Sequence, residues 1–161
     1  MSFMTPRGTR GARMPAAMKP LIKVVNGLIA GRIGKTGKAF GTMPALVLIT
    51  TGRKSGVERR TPLAYIPDGH GNWLIIAAYA GAANNPAWYH NIGAHPDRVS
   101  IELEGRPHRV DAEELHGPER EGAWKTITDA NKRFADYQDK TDRVLPVIRL
   151  TATGERPTDV G

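Results

Sequence analysis

Two short stretches concentrate the side chains able to do chemistry. In TTGRKSGVERRTP, residues 50–62, the cations Arg53, Lys54, Arg59 and Arg60 fall within eight residues, interleaved with the hydroxyls of Thr50, Thr51 and Ser55 and bracketed by Gly52 and Gly56. Lysine and arginine offer charge-assisted hydrogen bonds to phosphate or carboxylate, and free loop N–H groups add neutral donors. The pattern suits an anionic ligand; the alternative is an ordinary solvated hairpin loop. In NNPAWYHN, residues 84–91, Asn85 and Pro86 have the chemistry of an N-cap and first helical residue, with Trp88 and Tyr89 in the first turn. A helix start beside aromatic rings can receive a flat, partly anionic ring system. The alternative is packing, with Trp88 and Ile92 four residues apart on one buried face.

Other chemistries lack their residues. His70, His90, His95, His108 and His116 form no HxxxH or HExxH arrangement, so no metal site is expected. Ser2, Ser55 and Ser100 stand outside any G-x-S-x-G elbow, and neither G-x-G-x-x-G nor an in-frame Walker lysine is present. With no cysteine, disulfides and thiolate catalysis are excluded, and a redox role needs a borrowed cofactor.

The elements that must hold these stretches can be read in outline. The 161 residues suit one domain that buries roughly two-thirds of its unfolded surface. Apolar runs stay well below the roughly 18 residues that span a bilayer. Strands are expected over 45–51, 61–67, 72–79, 98–104, 106–113 and 144–151, with hairpin turns at Asp68–Gly71 and Glu104–Gly105. Helices are expected from Asn85–Pro86 to about Ala94 and over 117–138. Sequential short strands with two inserted helices predict a mainly β, α+β fold, a small antiparallel barrel of about six strands.

The net charge of +7 is an N-terminal property: residues 1–43 carry eight cations and no acid, residues 44–161 carry 15 cations against 16 acids. No nucleic-acid partner is expected, because the barrel lacks a basic face of its own. Residues 1–15 read as a flexible basic arm. Residues 16–43 hold an amphipathic pattern (Met18, Leu21, Ile22, Val25, Leu28, Ile29) and a Gly-rich connector. That helix either packs on the domain or lies on a membrane surface, which makes peripheral membrane contact through residues 1–35 a candidate interaction. The barrel domain is expected over 44–152 and a tail over 153–161. No secretory signal is read at the start, so the expected location is cytoplasmic, with the inner membrane face as the peripheral variant.

The order and spacing of Leu48–Gly56, TPLAY (61–65), NPAWYHNI (85–92), AHP (94–96) and YQDKTDRVLPV (137–147) resemble the deazaflavin-dependent nitroreductase family, over about residues 40–151. The resemblance implies a split β-barrel that binds coenzyme F420 in a groove, with FMN the less favoured cofactor. It implies that Arg53, Lys54, Ser55, Arg59, Arg60, Thr61, Pro62, Leu63 and Ala64 line the cofactor's phosphate, acidic tail and ring. Ile76, Ala77, Ala78 and Tyr79 would line the ring from the third strand, and Ala87, Trp88, Tyr89, His90 and Asn91 from the helix start. The implied activity is hydride transfer from the reduced deazaflavin to an electron-poor small molecule: a quinone, an enone or a nitro compound. Members can carry serine where this chain has Ala78, and tyrosine where it has Ala64 and Phe134. Tyr79, Tyr89, Phe134 and Tyr137 remain as substrate-side candidates, Tyr137 with a packing role as its alternative. The competing function is a non-catalytic module binding flavin, deazaflavin, haem or lipid. A monomer or a homodimer fits either.

Overall fold

The computed structural model describes residues 3, 5–11, 38–39 and 43–153. Its strands are β1 (Lys38–Ala39), β2 (Met43–Thr51), β3 (Glu58–Ala64), β4 (Ile66–Pro67), β5 (Trp73–Ile76), β6 (Ser100–Leu103), β7 (Arg106–Glu114) and β8 (Val147–Ala152). Three helices, α1 (Ala87–Ala94), α2 (Gly117–Ala130) and α3 (Arg133–Asp139), and a 3-10 turn at Tyr79–Gly81 complete the described elements. Every strand pair is antiparallel, in the order β1-β2-β6-β7-β8-β5-β4, with β3 also on β2. Only Tyr65 separates β3 from β4, and its N–H still donates to the Pro44 carbonyl at 3.1 Å. Taken as one bent strand, Glu58–Pro67 pairs with β2 and then β5, joining the two ends of the curled sheet. That leaves six long staves, as the sequence predicts, in a curled antiparallel sheet.

Strand alternation sorts the core into two layers. Cross-strand pairs Leu48↔Ile101, Ile75↔Ile148 and Ala112↔Leu150 put their side chains on the inner face, where Trp88, Tyr89 and Ile92 of α1 close over them. The intervening Leu74, Ile76 and Val147 face outward and are covered by Leu115, Ile127, Phe134 and Leu145. Each such side chain contributes about 1.5–3 kcal/mol on burial, so both faces of β5 and β8 are committed. The Glu104–Gly105 hairpin has φ of 50° and 79°, the left-handed pair of a two-residue turn.

Several boundaries move for identifiable reasons. β3 starts at Glu58 rather than 61, because Glu58, Arg59 and Arg60 pair with Thr51, Thr50 and Ile49 although their charges hide the alternation. β5 stops at Ile76 rather than 79, since the Ala77 and Ala78 carbonyls are taken by the Arg143 guanidinium at 2.8 Å each. The expected helix over 117–138 breaks at Asn131, which turns to an extended φ of −154° and accepts the Arg133 N–H on Oδ1 at 2.9 Å. Pro86, not Asn85, is the N-cap of α1. The Asn85 amide instead donates to the Thr5 carbonyl at 2.9 Å and accepts from Arg143 Nη1 at 2.6 Å.

The arm read as flexible is tied down over residues 5–11. Thr5 bonds Tyr89 and Glu114, Gly8 N–H donates to the Ala83 carbonyl at 2.8 Å, and the N–H groups of Thr9 and Arg10 donate to Asp142 Oδ1 at 2.8 and 2.9 Å. The Thr9 hydroxyl, and then the N–H groups of Arg10 and Thr9, hold the Asp142 carboxyl down to about 2. The amphipathic pattern over 18–29, most of the Gly-rich connector and the tail from 154 lie outside the described residues. Among the described residues no helix is long and apolar enough to cross a membrane.

The strap leaves no room at Gly8, where an added Cβ would sit 2.8 Å from the Arg143 backbone nitrogen and closer still to Asp142 Oδ1. At Gly122, in α2, an added Cβ meets nothing within 4 Å. Gly8→Val is expected to destabilise the fold by about 1–3 kcal/mol, and Gly122→Ala to stabilise it by roughly 0.5–1 kcal/mol. Urea denaturation of both variants checks the pair of signs.

Candidate functional site

The basic loop is built from its own backbone. Where β2 ends, Gly52 N–H donates to the Val57 carbonyl at 2.8 Å, Gly56 N–H to the Gly52 carbonyl at 2.9 Å, and Val57 N–H to Ser55 Oγ at 3.2 Å. Gly56 has a φ of 70°, which a side chain would resist. The tight turn leaves Arg53, Lys54 and Ser55 exposed. It is clamped to α1 through Arg53 N–H, which donates to Asn91 Oδ1 at 2.9 Å, while the Asn91 amide reaches Thr50 Oγ1 at 3.4 Å. Two stretches 38 residues apart therefore meet.

The charge at this corner is unspent. Arg53, Lys54 and Arg59 enter no ion pair among the described residues, whereas Arg60, on the opposite face of β3, is paired with Glu102 across β2. Arg60 is thus held apart from the other three cations. His90 registers the local field: burial, and then the Arg53 cation, lower its pKa below the usual histidine value. Farther along β3, Pro62 is buried, and Thr61, Leu63 and Ala64 are half-buried. Leu63 packs against the inner core.

Ile76, Ala77 and Ala78 are buried where β5 leaves the sheet, and Tyr79 stands exposed with φ at 46°. Such a positive φ is rare for a bulky residue. It is sustained by the Gly81 N–H to Ala78 carbonyl bond at 2.9 Å and by α3, which packs against this turn. Phe134 is buried in the outer core, and Tyr137 is half-buried, its ring edge-on to Phe134 at 6.2 Å and beneath the Lys140 ammonium at 5.6 Å. Phe134 and Tyr137 therefore sit on the helix packed against the turn that carries Tyr79.

The start of α1 divides its roles. Ala87 is exposed, while Trp88 and Tyr89 point into the inner core. Tyr89 is fully buried, donates its hydroxyl proton to the Glu114 carboxylate at 2.8 Å and accepts the Thr5 N–H at 2.9 Å. Burial, reinforced by Glu114, pushes its pKa up to about 12. This corrects the substrate-side expectation for Tyr89, whose hydroxyl is spent inside the protein. Sequence reasoning missed Glu114 and Thr5, and missed that Asn85 and Arg143 are partners, because each lies far along the chain from the group it bonds; Thr5 and Glu114 are 109 residues apart.

The donor set matches a ligand that is anionic at one end and flat at the other: three cations without an ion pair among the described residues, two on a glycine-braced loop and one on the adjoining strand, a helix start, and an apolar strand end. Among the described residues no cluster of His, Asp and Glu could hold a metal ion. The family model for F420H2-dependent quinone reductase matches residues 23–152. An F420H2-dependent quinone reductase of Mycobacterium tuberculosis is 35% identical over 135 residues, 81% of this chain and 89% of that protein. A solved F420-H2 dependent reductase is 37% identical with a TM-score of 0.60, covering 67% of this chain and 94% of the other. A second solved structure, described as a domain-swapped dimer, is 33% identical with a TM-score of 0.61, covering 83% and 100%. The chain belongs to the F420H2-dependent quinone reductase family.

Proposed function

We propose that this protein is a coenzyme F420-dependent oxidoreductase that reduces quinones, with enones and nitro compounds as further electron-poor acceptors. The observation that carries the reading is the unspent cationic corner at the end of β2, braced by Gly52 and Gly56 and clamped to α1 by Asn91. Arg53, Lys54 and Arg59 would hold the phosphate and acidic tail, and the stretch from Ile76 to Tyr79, with Ala87 and the half-buried residues of β3, would hold the ring. When bound, the reduced deazaflavin supplies the hydride. The protein orients the two reactants, keeps water from the apolar wall and offers hydrogen-bond donors to charge that develops on the acceptor. Tyr79 and Tyr137 are the substrate-side hydroxyls, since Tyr89 is engaged by Glu114 and position 134 carries none.

Replacing Lys54 and Arg59 together by alanine is expected to weaken F420 binding by about 1.5–3 kcal/mol for each charged hydrogen bond lost. Arg60→Ala, which removes a cation already paired with Glu102, should change affinity little. Fluorescence titration of both variants, followed by menadione reduction with the reduced cofactor, checks this; a double variant that binds like the parent defeats the loop assignment, and binding without accelerated menadione reduction defeats the enzymatic one.

The depressed His90 pKa adds a pH test. A proton on His90 is disfavoured by burial and by Arg53, so an anion that neutralises Arg53 raises the His90 pKa. By linkage, binding then takes up protons and tightens as pH falls through the histidine range. Nuclear magnetic resonance titration of His90, with and without F420, should show the upward shift; equal values in both states would separate the ligand from this corner.

A further inference from the structure

We infer that Arg143 is a positioning residue for the site, one that orients the peptide units between Ala77 and Tyr79 so that two N–H groups are presented to a bound ring. The inference rests on the F420 reading and deepens it.

Arg143 is 1% exposed, and its guanidinium makes four hydrogen bonds: Nε to the Ala82 carbonyl at 3.0 Å, Nη1 to the Ala77 carbonyl at 2.8 Å and Asn85 Oδ1 at 2.6 Å, and Nη2 to the Ala78 carbonyl at 2.8 Å. None of these acceptors is a carboxylate, and Arg143 forms no ion pair among the described residues; the buried carboxylate of Glu114 is engaged by Tyr89 and Thr5. A buried guanidinium without a counter-ion is expensive, so a shape role that a neutral side chain could fill would not need it. Its charge does fit the polarising of carbonyls.

The peptide plane converts that contact into a direction. In a trans peptide the N–H lies opposite the C=O, so fixing the Ala77 and Ala78 carbonyls on Arg143 aims the N–H groups of Ala78 and Tyr79 away from it. No hydrogen bond within the described residues uses either N–H. A carbonyl that accepts from a cation also leaves its own N–H a stronger donor. The backbone of Arg143 is fixed in turn, its N–H donating to Thr141 Oγ1 at 3.0 Å and its carbonyl accepting from Gln138 Nε2 at 2.7 Å. Arg143 thus locks a segment that ends in the left-handed Tyr79.

The test separates the ring end of the ligand from its anionic end. F420 and the deazaflavin nucleoside, which keeps the ring but lacks phosphate and glutamyl tail, are titrated by fluorescence against the parent protein, Arg143→Gln, Arg143→Lys and the Lys54→Ala, Arg59→Ala double variant. Arg143→Gln is expected to weaken both ligands by the same factor, at least about 10-fold. Arg143→Lys should recover part of it, while the double variant loses affinity only for F420. Amide exchange at Ala78 and Tyr79 should quicken in ligand-free Arg143→Gln. If Arg143→Gln does not fold, Asn85→Ala, which removes one of the four bonds, should show a smaller loss of the same kind. A folded variant with unchanged nucleoside affinity overturns the inference and leaves the cofactor reading standing. A parent protein that binds neither ligand defeats the cofactor reading, and this inference with it.

Discussion

The buried guanidinium of Arg143 is the constraint on which much of the rest depends. Moving a charge out of water costs several kcal/mol, and the cost is tolerable only where hydrogen bonds replace the lost hydration. Three main-chain carbonyls and Asn85 supply them. The consequences run outward from there. Asn85 cannot cap α1, so Pro86 does; the segment after β5 leaves the sheet to bring its carbonyls to the cation; and Asn85, by donating to Thr5, joins the N-terminal strap to the same network. Desolvation lowers the Arg143 pKa to about 10, which leaves the side chain cationic at neutral pH.

A second buried polar group, Glu114, plays a matching part on the inner face. It stands opposite Ile148 in the β7–β8 ladder, a position that alternation would give to an apolar residue. Thr5 and Tyr89 satisfy it by hydrogen bonds, so α1 closes over the inner core with one buried acidic side chain inside. Both networks use residues 5–11 as a partner. The strap is therefore part of the packing of α1 and of the 77–85 segment, not an appendage to them.

The site inherits its division of labour from this scaffold. One end is electrostatic, a loop held open by glycines and pinned to α1. The other is apolar and steric, a strand end fixed from behind by Arg143 and flanked by α3. Ala64, Ala78 and Phe134 carry no side-chain hydroxyl, so in the proposed binding mode hydrogen bonding at the ring would fall to the backbone and to the remaining tyrosines.

Local chemistry was enough to read the staves of the barrel, its hairpin turns, the helix opening near Pro86 and the basic loop, because alternation, turn residues and charge clusters are properties of neighbouring residues. The motif order also carried the family and its cofactor. What the tertiary structure decided were the partners. Arg59 and Arg60 are adjacent in sequence, yet among the described residues one enters no ion pair and the other is paired with Glu102, since strand alternation sends them to opposite faces and β2 brings Glu102 within reach. Tyr89 looked like a site aromatic and is core, because Glu114, 25 residues later, takes its hydroxyl. Arg143 stands in the YQDKTDRVLPV stretch, but nothing local shows what it holds: its acceptors are 58 to 66 residues away, and a hydrogen bond that closes so long a loop is written only in the folded chain.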